Sequence, residues 1–63
     1  MKQFLVAWYS LTDGMIYHTF VDAVRIFFAA EEAQKKVINE DPKLWEKIVR
    51  ETTMMDIREV WTK

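Results

Sequence analysis

No cysteine occurs in this chain, so no disulfide can staple it, and a single histidine without a thiolate leaves no ligand set for a structural zinc ion. Glycine and proline occur once each, as Gly14 and Pro42. One glycine cannot build a phosphate cradle, which needs several backbone amides converging on an anion. Charge of one sign is also missing: nine basic and ten acidic side chains leave a net charge of −1, which suits neither a strongly basic nucleic-acid binder nor an acidic mimic of one. Nothing here calls for a cofactor. The longest apolar run, residues 4–9, ends at Ser10. It falls far short of the ~20 residues that a membrane span needs, and no small-residue cleavage site follows it. We therefore expect no membrane segment and a cytoplasmic location.

What is present is a surplus of apolar material. Hydrophobic residues make up 51% of the 63 positions and aromatic residues 14%, with Trp8, Trp45 and Trp61 among them. A chain of this length is expected to form a single domain, residues 1–63, and to bury only about 60% of the surface its unfolded form exposes. Stability without disulfides or metal must then come from apolar packing or from association. The run Phe4-Leu5-Val6-Ala7-Trp8-Tyr9 is apolar at six successive positions, whereas a strand covered on one face should alternate.

Residues 3–11 and 15–21 are rich in β-branched and aromatic side chains and flank Thr12-Asp13-Gly14, the composition of a β-hairpin. A two-residue Asp13-Gly14 turn would set Thr12 opposite Met15. One face would then carry Leu5, Ala7, Tyr9, Leu11, Ile16, His18 and Phe20, and the other Phe4, Val6, Trp8, Ser10, Tyr17, Thr19 and Val21, whereas a three-residue loop with a bulge would change which residues share a face. Asp22 is a candidate N-cap for a helix running to about Asn39, with Ile26, Ala30, Ala33 and Val37 along its apolar side and Glu31/Lys35 and Glu32/Lys36 spaced for ion pairs. Residues 24–28 also fit a third strand, with the helix then starting near Ala30. Asp41-Pro42 reads as N-cap and first helical residue of a second helix, to about Glu51, with Leu44 and Ile48 joined by Trp45 and Val49 on its apolar side. Residues 54–61 alternate as a last strand, Met55, Ile57 and Trp61 against Asp56 and Arg58. The expected fold is α+β, a two-layer sandwich of a small antiparallel sheet and two helices in the order ββααβ.

Chemistry is thinly represented. Ser10 is the only serine and His18 the only histidine, and the hairpin register puts them on opposite faces, so no nucleophile has a base beside it. Glu31-Glu32 and Glu40-Asp41 are adjacent in sequence, but helix neighbours diverge by about 100°, and these side chains already serve ion pairs and a cap. A small-molecule pocket would have to form near His18, Tyr9 and Glu59. Lys43, Lys47 and Arg50 recur along one stripe of the second helix with Trp45 to its side, an arrangement that could track phosphates and stack on a base. Glu46 and Glu51 dilute it.

Phe20, Phe27 or Phe28, and Trp45 are expected in the core. Two helices can cover one face of a three-stranded sheet and hardly two, which leaves Phe4, Val6, Trp8 and Tyr17 as the expected exposed patch and partner-binding surface. The function expected is that of a non-enzymatic protein-binding module, an inhibitor or adaptor of the kind phages use to block a host or defence protein, with a homodimer as one form of association. The alternative is a nucleic-acid-binding module using Lys43, Trp45, Lys47 and Arg50.

Overall fold

The computed structural model describes residues 1–11 and 14–60. Its elements are β1 (Lys2–Tyr9), β2 (Ile16–Ala23), α1 (Ile26–Glu40), α2 (Pro42–Glu51) and β3 (Met54–Val60), in the expected ββααβ order. The strands form one antiparallel sheet with β1 at its centre, ordered β2-β1-β3, and both helices pack on the same face of it.

The hairpin closes at Ser10. Gly14, at φ 71°, donates its N–H to the Ser10 carbonyl at 3.2 Å, and the Ser10 N–H donates to the Met15 carbonyl at 2.9 Å. Gly14 and Met15 both answer to one residue of the facing strand, a bulge whose left-handed position favours glycine. This corrects the expected pairing of Met15 with Thr12. Trp8 lies opposite Tyr17 and Val6 opposite Thr19, a slip of two residues from a two-residue turn. Side chains alternate with period two, so a slip of two leaves the membership of each face unchanged. Thr12 and Asp13 of the expected turn, and Trp61 of the expected last strand, lie outside the described residues.

The choice of covered face is the main correction. Phe4, Val6 and Trp8 were expected at the surface; they are 3%, 0% and 7% exposed and form the core with Val21, Ala23 and the helices. Tyr17 is half-buried at the margin of this core. The physical reason lies in the two outer strands. β3 sets Ile57 beside Val6 and Glu59 beside Phe4, while β2 sets Val21 beside Phe4 and Ala23 beside Lys2. The opposite face carries Asp22, His18, Asp56 and Arg58 alongside Leu5 and Ala7. Helices laid on that face would bury three charged side chains, each at a cost of several kcal/mol unless paired.

α1 starts at Ile26, which settles residues 24–28 against a third strand, but Asp22 is not its N-cap: β2 continues through Asp22 to Ala23, and Arg25 occupies the cap position without a side-chain hydrogen bond. The buried side of α1 is Ala29, Ala33 and Val37, so the expected stripe is rotated away from Ile26 and Ala30. Two fully buried alanines let the helix approach the sheet closely, and the large side chains of Phe4 and Trp8 fill the remaining depth. Phe20 and one of Phe27 and Phe28 are expected inside, but all three are exposed. Lys35 pairs with Glu31 at 3.4 Å as expected and also with Glu32 at 3.8 Å, whereas Lys36 turns to the backbone carbonyl of Phe20 at 2.7 Å.

α2 forms as its sequence implies. The Asp41 carboxylate accepts from the Leu44 N–H at 3.2 Å, Pro42 opens the helix, and Ile48 is buried with Leu44 and Trp45 packed around it. Val49, assigned to the apolar side, is exposed. Thr52 ends the helix by donating its hydroxyl to the Ile48 carbonyl at 2.6 Å, and the Thr53 N–H then reaches the Tyr9 carbonyl at 3.1 Å to begin pairing with β1.

Two outcomes follow for urea unfolding followed by circular dichroism. Trp8→Ala should destabilise the fold by about 3–5 kcal/mol. That is comparable to the whole stability of a chain this short, roughly 3–9 kcal/mol, so the variant should be largely unfolded at room temperature. Asp41→Ala should cost about 1 kcal/mol through the lost cap and leave the spectrum native.

Candidate functional site

The face of the sheet turned away from the helices is built in four cross-strand rows. Gln3 lies between Asp22 and Val60, Leu5 between Phe20 and Arg58, Ala7 between His18 and Asp56, and Tyr9 between Ile16 and Met54. Leu5, Ala7 and Tyr9 are half-buried only by their neighbours in the sheet, and around them Ile16 is 64% exposed and Phe20 43%. The result is an apolar strip along β1 with aromatic and aliphatic side chains on the β2 side and an ion pair on the β3 side, Arg58 Nε to Asp56 Oδ2 at 2.9 Å. His18 meets the Phe20 ring edge to face at a centroid distance of 6.3 Å.

This is the exposed apolar sheet face that chain length alone calls for, formed by Leu5, Ala7 and Tyr9 in place of Phe4, Val6 and Trp8. The signal that identifies it was present in the last strand: Asp56 and Arg58 alternate with Met55 and Ile57, and only the register of β3 on β1, Val6 opposite Ile57, converts that alternation into a choice of face.

The expected partner-binding set is therefore redistributed. Phe4, Val6 and Trp8 are inside. Tyr17 is tied into the helical layer, donating its hydroxyl to Glu51 Oε2 at 3.2 Å, with Lys47 Nζ 5.7 Å from its ring centroid. The basic stripe is similarly divided. Lys43 and Arg50 are exposed, Lys47 is half-buried over Tyr17, and Trp45 packs edge to face against Trp8 at 5.6 Å with an interplanar angle of 78°. Trp45 is thus a bridge between α2 and β1, not a free stacking platform.

The pocket that a small-molecule site would need near His18, Tyr9 and Glu59 is not assembled, because Glu59, beside Phe4, is on the helical face and pairs with Lys2 at 3.6 Å while His18 and Tyr9 are on the other. Ser10 is buried on the helical side of the hairpin, remote in orientation from His18. Among the described residues no group of three or more His, Cys, Asp or Glu side chains could hold a metal ion, and no helix is long and apolar enough to cross a membrane. A second exposed apolar group, missed in the sequence, surrounds the start of α1: Val24, Ile26 and Phe27, with the Phe27 ring tilted by 38° against Phe28 at a centroid distance of 4.4 Å.

No protein-family model, curated protein or solved structure matches the chain. The open face must be read from its own chemistry.

Substitutions there should spare the isolated fold. Ile16→Thr should shift the urea midpoint by an amount equivalent to about 0.5 kcal/mol or less, since Ile16 is 64% exposed, and Phe20→Thr, whose ring is 43% exposed and packs edge to face on His18, by about 1–2 kcal/mol. A loss like that of Trp8→Ala at either position would mean that this face is covered within the chain itself.

Proposed function

We propose that this chain is a non-enzymatic protein-binding module that works through the open face of its sheet. The observation that carries the reading is the uncovered row Leu5, Ala7 and Tyr9 on the central strand, bordered by exposed Ile16, Phe20 and Met54. Contiguous apolar surface on a small protein marks an interaction site more often than chance, and tyrosine and phenylalanine rings are efficient anchors in one. Three charged side chains, Asp22, Asp56 and Arg58, lie on the same face and give it orientation as well as adhesion. The finer reading, a small viral inhibitor or adaptor that blocks a host or defence protein in the cytoplasm, rests on size and composition. Nucleic-acid binding through Lys43 and Arg50 is the competing reading; the engagement of Lys47 and Trp45 inside the fold weighs against it.

Affinity capture with three baits separates the two: wild type, Tyr9→Asp, and the double variant Lys43→Glu with Lys47→Glu. A protein partner of the open face should bind wild type and the lysine variant alike and lose about thirtyfold or more in affinity for Tyr9→Asp, the effect of removing about 2 kcal/mol of anchor energy. Loss confined to the lysine variant, with affinity falling steeply as salt rises, would instead assign function to α2 and to a polyanion.

A further inference from the structure

The four rows of the open face carry more information than their apolarity. We propose that the layer completing this sheet is a second copy of the same chain, docked face to face about a two-fold axis that crosses β1 midway between Leu5 and Ala7 and runs perpendicular to the strands. The proposal rests on the open face being the interaction surface and specifies its occupant.

Such an axis lays each strand over its own copy, running in the opposite direction, and exchanges the two central rows. Leu5 then faces Ala7 of the second copy, and Ala7 faces its Leu5. Large against small is the pairing that lets two layers interdigitate without clash or void. On β2, Phe20 faces His18 of the second copy, extending the edge-to-face contact that the two rings already make within one chain at 6.3 Å. On β3, Arg58 faces Asp56 of the second copy and Asp56 faces its Arg58. Arg58 uses Nε for its own Asp56 at 2.9 Å, which leaves its terminal nitrogens for a second carboxylate, so two ion pairs become a closed ring of four alternating charges. All three facing pairs of the central rows are complementary, and the symmetry makes each of them twice.

The outer rows are consistent with a rim. Gln3 faces Tyr9, amide to phenol, and Val60 faces Met54. Only Asp22 against Ile16 is a mismatch, and both are exposed at the ends of an edge strand. An axis parallel to the strands fails where this one succeeds: it stacks Leu5 on Leu5 and Ala7 on Ala7, a collision beside a void. Aligned sheets pack about 10 Å apart with strands rotated by about 30°, which moves side chains this near the axis by only about 3 Å, within reach of their partners. The face measures about 14 by 25 Å from strand spacing and rise per residue, smaller than a standard interface of ~800 Å² per partner. Self-association should therefore be weak, with dissociation in the micromolar range or above.

Sedimentation equilibrium across loadings from about 10 μM to 1 mM tests this, with circular dichroism confirming that each variant is folded. Wild type should show monomer and dimer. Arg58→Glu should weaken the dimer at least tenfold by confronting like charges twice, and the exchange Asp56→Arg with Arg58→Asp should restore it, because the ring of alternating charges is rebuilt. Ala7→Leu should weaken it and Leu5→Ala with Ala7→Leu should recover it. A strictly monomeric wild type at 1 mM overturns self-docking while leaving the open face for a different protein. A dimer that ignores every one of these substitutions also overturns self-docking through this face, since it would form through another surface. A dimer weakened by Arg58→Glu but not recovered by the charge exchange overturns the two-fold arrangement.

Discussion

The structure depends on a shortage of covering material. Among the described residues two helices are all there is to lay against the sheet, and β1, at the centre, is apolar on both sides. Something must stay uncovered, and the cost of burying charge decides which side. With Asp22, Asp56 and Arg58 distributed across one face, the helices go to the other, where the outer strands offer Val21, Ala23 and Ile57. The same charges that exclude the helices then give the open face its pattern.

The covered side shows how a small core is filled without staples. Val6 and Ile48 are both fully buried in it, the alanines of α1 bring that helix close, and the Trp8–Trp45 edge-to-face pair ties α2 to β1. Large aromatic side chains against small helical ones give depth to a core that chain length would otherwise keep thin. Around this core, polar contacts close the joints between elements. Lys36 holds an outward carbonyl of the edge strand β2, Tyr17 reaches Glu51, and Thr52 caps α2. An edge carbonyl held by a lysine is less available to pair with another strand, which leaves the face of the sheet as the better place for association.

Local chemistry was legible in the sequence wherever it depended on near neighbours. The Asp41-Pro42 start of α2, the strand composition on both sides of Gly14, the alternation of β3 and the Glu31–Lys35 pair all follow from residues within four positions of one another. Asp22 misled for the same reason. It has the right side chain in the right place for a cap, but pairing with Gln3 carries β2 past it, and a strand held by a neighbouring strand outweighs a single capping hydrogen bond.

By itself the sequence determined the fold class, the hairpin, second helix and last strand, and the fact that one apolar face would lack cover; the hairpin register and the helical state of residues 24–28 came with the assembled sheet. Period-two alternation and helix-start signals are local, and chain length bounds how much surface two helices can hide. Only the tertiary structure decided which face that is. Phe4, Val6 and Trp8 are as apolar as Leu5, Ala7 and Tyr9, so β1 holds no preference of its own. The preference enters through residues more than ten positions away, when the register of β2 and β3 sets His18, Asp22, Asp56 and Arg58 beside one row and Val21 and Ile57 beside the other.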